Sequence, residues 1–428
     1  MDSQHSFNHR RHLAIRAALG FSACFWLNFF WLLAISSSNR AAAQIPAAPA
    51  PLFPAIEFTL TNGFKVQTLE DHNSPIVAVQ VWYHVGSANE PENRQGFAHL
   101  FEHLMFRGTD RLGPTGHADL IRSVGGECNA FTSFDETCYH ETLPSSQLEL
   151  AFWLESERMA FLTVDGPGFA TERKVVEEEL RLRLNQPYGD AEEIGLPVVF
   201  GTHPYSHSPA GNIHCLRLAT PVDVHDWWKT WYTPNNAVMV IVGDVKIEQV
   251  RGLANKYFGW IPAVPAPERK VPTLTPYDSA RETTIKLENA PAPGVGLGWR
   301  TAPEGSPESL PLELLATILG GGESSRLYRR LVIEDRLAVA AGAMEFGLGR
   351  GSVFAAGAVL SPLGGDAAKS LAALRVELDR FRKEGASAVE LEKARNQSMS
   401  HLILGAQTAT GKANLIGRAA VVGAGSES

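Results

Sequence analysis

Apolar and polar positions alternate in two regular ways along this chain, and the change from one period to the other marks its elements. EFTLTNGFKVQTLE places Asn62-Gly63 between two runs of period two, the pattern of a β-hairpin. PIVAVQVWYHV continues as a strand. In QGFAHLFEHLMF the apolar residues Phe97, Leu100, Phe101, Leu104 and Met105 fall three and four apart, which predicts an amphipathic helix. ECNAFTSFDETCYHETL reads as a second hairpin, LELAFWLESERMAFL and TERKVVEEELRLRLNQ as helices, and NNAVMVIVGDV as a buried strand ending at a Gly-Asp turn. Residues 261–276 hold five prolines and read as an inter-domain linker. Beyond it, strand-like ETTIKLE and GVGLGWR lead to a helix around LPLELLATIL, closed by Gly320-Gly321-Gly322. The order strand, strand, helix repeats that of the first half, so two related α/β units are expected, over residues 57–260 and 277–428. The triple glycine lacks the Gly-Lys-Ser/Thr of a phosphate loop and reads as a flexible helix boundary.

The first 43 residues break this pattern. A basic start (His9, Arg10, Arg11, His12, Arg16) precedes an apolar run densest from Cys24 to Ile35, then Ala41-Ala42-Ala43. Small residues at that place suit a cleaved secretory signal ending at Ala43, with an uncleaved membrane anchor as the rival. Residues 44–56 form a Pro/Ala linker. An exported protein, periplasmic or secreted, is expected. The remainder is ordinary globular sequence of two or three domains' length, from a chain 44% hydrophobic and 20% charged. Its net charge of −8 argues against nucleic acid as a partner. Of four cysteines Cys24 lies in the signal, and three is an odd remainder, so no complete disulfide framework is implied. Cys128 and Cys138 would not sit directly opposite in a hairpin turning near Phe134.

Candidate chemistry sits in the stretch HLFEH, from His99 to His103. On a helix, residues four apart share a face, so the two imidazoles could aim at one ion, with Glu102 beside them. A catalytic zinc takes three protein ligands and keeps a position for water, and a neighbouring carboxylate can serve as general base. Read from these residues alone, a metal site and a solvated helix face both remain open. A third ligand has to come from elsewhere, and the helix ATERKVVEEELRLRL offers Glu172, Glu177, Glu178 and Glu179. Glu177 and Glu178 read as a solvated, charge-laced face. Glu172 and Glu179, seven apart, stack on one face, where one could bind metal and the other support it.

With these residues the chain resembles the inverted-motif zinc peptidases of the pitrilysin/insulinase type, whose helix carries HxxEH. It is similar to bacterial two-domain members related to the β subunit of mitochondrial processing peptidase. In that family a second helix supplies a glutamate ligand about 76 residues past the second histidine, with another glutamate seven before it. Glu179 and Glu172 stand at those offsets. The flanks YHVGSANEPENRQGFAHLFEHLMFRGT, the hairpin GGECNAFTSFDETCYHETLP, HPYSHSPAGN, WYTPNNAVMVIVGDV, KYFGWIP and ILGGGESSRLYRRL fall in the family's order, covering about residues 57–425. The resemblance implies an α+β fold of two homologous domains, each a mostly antiparallel sheet packed with helices. It implies one Zn2+ bound by His99, His103 and Glu179, with Glu102 as base and Glu172 orienting the ligands. The reaction implied is peptide-bond hydrolysis in peptides or unfolded segments. Glu127–Thr132 resembles the family's edge strand, so Asn129, Ala130 and Phe131 are expected to hold an extended peptide by backbone hydrogen bonds. His140, His203, His207 and His214 read as loop or structural histidines.

Two departures matter. Active members usually carry an Arg and a Tyr seven residues apart in the second half, and alignment of SSRLYRRLVIEDRLAVAAGA puts Val332 and Val339 there. That leaves a hetero-oligomer in which a homologous chain brings the Arg/Tyr pair, a homodimer, or a non-catalytic peptide-binding subunit. Family second domains also continue some tens of residues past the region matching LIGRAAVVGAG, so a truncated second domain is expected.

Overall fold

The computed structural model describes residues 53–265, 267–268 and 271–422. The proposed signal and most of the Pro/Ala linker lie outside the described residues. The fold is mixed α/β with two sheets. The first uses β1 (Ile56–Thr59), β2 (Lys65–Glu70), β3 (Ile76–Tyr83), β4 (Glu127–Thr132), β5 (Thr137–Pro144) and β6 (Ala237–Gly243), in the order β1-β2-β6-β3-β5-β4. Only β2 and β6 pair in parallel; the other neighbours are antiparallel.

The helices that follow from this half are α1 (Phe97–Leu104), α2 (Gly116–Ser123), α3 (Leu148–Phe161), α4 (Gly166–Leu184), α5 (Ala191–Phe200), α6 (Ile213–Leu218), α7 (Pro221–Trp231) and α8 (Ile247–Phe258). The central strands β3 and β6 are nearly continuous apolar runs because both faces of the sheet are covered. Alternation sorts β3 between two cores. Val77, Val79, Val81 and Tyr83 join Leu100, Phe101 and Leu104 of α1 and Phe152 of α3. Ala78 and Trp82 face the other way.

The second sheet is smaller, β7 (Gly294–Thr301), β8 (Ala338–Phe346) and β9 (Ser352–Leu360) in the order β7-β9-β8. Its helices are α9 (Ser309–Gly320), α10 (Arg326–Tyr328, continued by a π-helical turn to Glu334), α11 (Ala367–Glu384), α12 (Ala388–Gly405) and α13 (Ala409–Val421). α13 leaves its own half and covers the back of the first sheet. Gly417 lies flush on the Trp82 indole, where a Cβ would come within 2.1 Å of Nε1. Beside it the buried Gln80 amide donates to Asn414 at 2.8 Å and its carbonyl accepts from Trp82 Nε1 at 2.9 Å.

The hairpins, the strands at 76–83 and 237–243, and the helices at 97–104, 148–161, 166–184 and 309–320 fall where the periodicity predicts them. ETTIKLE does not: residues 282–288 are irregular. The reason is topological. In the first sheet β2 reaches β3 only through β6, which lies between them. Among the described residues nothing pairs with the corresponding edge of β7, so 282–288 has no ladder to join. The described part of the proline-rich stretch holds no helix or strand, yet it is stitched down: Leu274 packs with Phe200, Leu348 and Val353 and donates its N–H to Arg350 O at 2.6 Å. Val332 packs against the second core and Val339 is exposed at the start of β8.

Candidate metal centre

The apolar stripe of α1 faces the sheet, which leaves His99 and His103 half-buried on its flank and Glu102 buried between helix and strand. The first turn is held by a carboxylate. Glu90 accepts from Gly96 N at 2.9 Å and Ala98 N at 2.7 Å, satisfying two of the unpaired donors at the helix start. Gly96 has φ +90°, and a side chain there would strike the Ala210 carbonyl. The second helix, α4, begins at Asp165, whose carboxylate accepts from Gly168 N at 2.6 Å. It runs beside α1 and turns Glu172 and Glu179 toward the histidines.

One donor atom from each of His99, His103 and Glu179 lies within 4.8 Å of the others. His99 Nε2 is 3.7 Å and His103 Nε2 3.4 Å from the Glu179 carboxylate. His103 Nδ1 is 3.4 Å from Glu172, which is itself held by Arg107 at 3.1 Å. A carboxylate behind a histidine's second nitrogen is the arrangement that fixes the tautomer of a metal-binding imidazole. Burial, then the neighbouring His103, pulls His99 down to about 4, which keeps it neutral. Burial works the same way on His103, but the Glu172 and Glu179 carboxylates outweigh it and raise that imidazole to about 9. The His103 contact lowers Glu179, and burial pushes the Glu102 carboxyl up. Glu102 accepts a 2.6 Å hydrogen bond from the Thr132 hydroxyl.

Two imidazoles and an outward carboxylate make a three-ligand set of the kind that holds zinc. They open onto a cleft of about 660 Å³, walled by Phe106, Ala118 and β4. β4 is the last strand of its sheet. Cys128, Ala130 and Thr132 lean inward, while Glu127, Asn129 and Phe131 are exposed. Of the three residues expected to hold peptide, Ala130 turns its side chain to the cleft. Phe131 packs edge-on against Trp82 on the opposite face, and Asn129 Oδ1 accepts from its neighbour's N–H at 2.9 Å, so both border the cleft through backbone.

The reading of Glu177 as solvated is corrected. It is 7% exposed and paired with Arg217 at 3.0 Å and Arg181 at 3.2 Å; Glu178 is exposed as expected. His203 bonds Pro272 O and Tyr205 N, a structural role, and His140 lies on β5 rather than in a loop. Cys128, Cys138 and Cys215 are free thiols. Sequence reasoning missed Arg107, Glu90 and Thr132. Arg107, four past His103, continues the histidine stripe and was the one with a positional signal.

A second cluster, His117, Glu141 and Glu155, also brings its donor atoms within 4.8 Å of one another, in full burial. It contains its own cation: Arg158 lies between Glu155, which it binds through Nε at 2.8 Å and also through Nη2, and the Tyr139 ring. Burial pushes both glutamates up to about 7 against the pull of Arg158. Burial likewise holds His117 neutral, down at about 3.

The sequence profile described as "Insulinase (Peptidase family M16)" matches residues 65–187, and that described as "Peptidase M16 inactive domain" matches residues 219–398. Zinc protease PqqE of Helicobacter pylori is 29% identical over 416 residues, covering 95% of this chain and 89% of that one. An uncharacterised zinc protease of Mycobacterium tuberculosis is 27% identical, covering 87% and 85%. The crystal structure of a protease from Helicobacter pylori superposes with a TM-score of 0.78 at 28% identity, covering 86% of this chain and 90% of that one. The first half of the periplasmic protease PqqL from Escherichia coli shares the fold, with a TM-score of 0.71 at 22% identity over 87% and 83%.

Proposed function

The chain belongs to the M16 family of peptidases, and from that premise we propose that it is a zinc-dependent endopeptidase acting on peptides or unfolded segments. The observation that carries this reading is the convergence of His99, His103 and Glu179 beside a buried Glu102, under an open sheet edge. His99, His103 and Glu179 hold the ion. Bound there, zinc supplies a Lewis acid that acidifies water and polarises a carbonyl. Glu172 fixes the His103 ring, and Arg107 fixes Glu172. An extended peptide adds to β4 by main-chain hydrogen bonds, which read shape more than sequence. Glu102 takes the proton of the attacking water and returns it to the leaving amine, with Thr132 holding its carboxylate in place. Its burial favours the protonated form and so suits it to the second half of that shuttle. We also propose that the two domains span residues 57–260 and 277–428.

The test is zinc content together with cleavage of a quenched peptide library. Glu102→Gln should keep one zinc per chain and lose turnover by about 100- to 10,000-fold. Wild-type turnover in that variant would sink the assignment.

A second reading rests on Val332 and Val339, neither of which can donate to an oxyanion. We propose that a homologous chain completes the site, as a hetero-oligomer or homodimer. Assay with and without the neighbouring homologue decides this, since full activity of the lone chain removes the need for it. The chain is also proposed to be exported. Among the described residues no helix is long and apolar enough to cross a membrane.

A further inference from the structure

We propose that the second half of the chain positions the catalytic base, through a latch on the β4–β5 turn in which Asp135 and Arg418 are the positioning residues. The proposal rests on the peptidase reading of the Glu102 site. Its starting point is that, among the described residues, β4 is paired on one side only, with β5. Such an edge strand is placed by what holds its ends, and here the end nearest the base is the turn at residues 133–136. Thr132, the last residue of β4, donates to Glu102 at 2.6 Å, so a displacement of the turn is felt at the base within one residue.

The turn is gripped from both halves. On the first-half side Ser87 N donates to Ser133 O at 3.1 Å and Ala88 N to Phe134 O at 2.9 Å. On the second-half side the loop between β8 and β9 supplies Gly349 N, which donates to Asp135 at 2.9 Å. The other Asp135 oxygen accepts from Tyr205 Oη at 2.7 Å, and that hydroxyl accepts from Arg350 N at 3.0 Å. Phe134 packs edge-on against Phe346 of β8. Glu136, which follows Asp135, is buried and accepts from Arg418 of α13 at 3.2 Å. Arg418 also donates to Glu304 at 2.9 Å and to Gly347 O at 3.2 Å. Asp135 and Arg418 thus join the turn to β8, to its following loop and to α13, the helix that already clasps the back of the same sheet. None of these groups touches the metal ligands, so their effect on the reaction runs through Thr132.

Two measurements test this. In amide hydrogen exchange, Asp135→Ala and Arg418→Met should speed exchange at the β4 amides, residues 127–132, while β3 and β6 stay protected; Asp135→Asn, which keeps a carbonyl acceptor, should restore most of the protection. In kinetics, Asp135→Ala and Thr132→Val should each lower kcat by about ten- to a hundred-fold with zinc content unchanged. Their effects should not multiply in the double variant, because both act on one contact. Unchanged β4 exchange in the folded variants, or independent kcat losses that multiply, overturns the proposal. Lack of any peptide cleavage by the wild type would instead remove the peptidase reading, and the exchange data alone then decide whether the latch exists.

Discussion

Among the described residues two clusters share the same side-chain types, and they differ in whether a guanidinium stands inside. His117, Glu141 and Glu155 enclose Arg158, a fixed guanidinium bonded to Glu155 and stacked on Tyr139. His99, His103 and Glu179 enclose no guanidinium. The nearby Arg107 is paired with Glu172, so no guanidinium stands among the three donor atoms. The first arrangement is closed and buried around that guanidinium; the second faces a cleft, where on the proposed function it takes up a metal ion. Ligand identity and spacing are therefore not enough to mark a metal centre. What separates the two is whether a permanent cation already stands inside.

That contrast can be broken most strongly at the ligands. Glu179→Gln or His103→Ala should empty the site and lower peptidase activity about 1,000-fold or more, whereas His117→Ala should retain one zinc per chain by elemental analysis. Loss of zinc from a folded His117→Ala variant would erase the distinction. Next in size, Arg158→Met removes the internal cation and leaves two buried carboxyls uncompensated. A loss of about 3–5 kcal/mol is expected in denaturant unfolding. Glu172→Gln should be milder, weakening zinc about 10- to 100-fold in competition with a chelator while leaving unfolding nearly unchanged.

The smallest effect is a pH dependence. Burial raises Glu141 and Glu155 in the folded chain to about 7, above the ordinary carboxyl value of 4.5. Between those pH values these two carboxyls bind more protons in the folded state than in the unfolded one, so their contribution to stability is greatest below pH 4.5 and falls as pH rises toward 7, while His117, held neutral down to about 3, contributes with the opposite slope. Glu141→Gln mimics the protonated form and should flatten that fall by on the order of 1–3 kcal/mol, read as unfolding free energy at pH 5 and pH 8. An unchanged pH slope would mean that Glu141 is not one of the groups holding the proton.

Much of this was legible in the chain. HLFEH sits on an apolar stripe of unambiguous helical period, so α1 and the direction of its histidines follow from the sequence. The seven-residue spacing of Glu172 and Glu179 marks both as candidates on one helix face, but which of the two is the ligand follows only from the resemblance. Glu177 was misread because its partner Arg217 lies 40 residues on, and a buried ion pair looks like a solvated face until both ends are placed. The Glu155–Arg158 pair was hidden likewise, in a helix whose charges point inward. The strand expected at 282–288 failed because a strand needs a neighbour, and the neighbour is set by topology rather than by its own pattern. The swap of α13 onto the first sheet left a faint trace in Ala413, Gly417 and Ala420, small residues at helical spacing where two surfaces come close.

The free edge of β4 has one more consequence. A strand proposed to receive substrate backbone offers the same row of amides to any other extended chain, and Phe131 stands exposed upon it. At high concentration, the surface best suited to holding peptides is also the one by which copies of this protein would be drawn into aggregation.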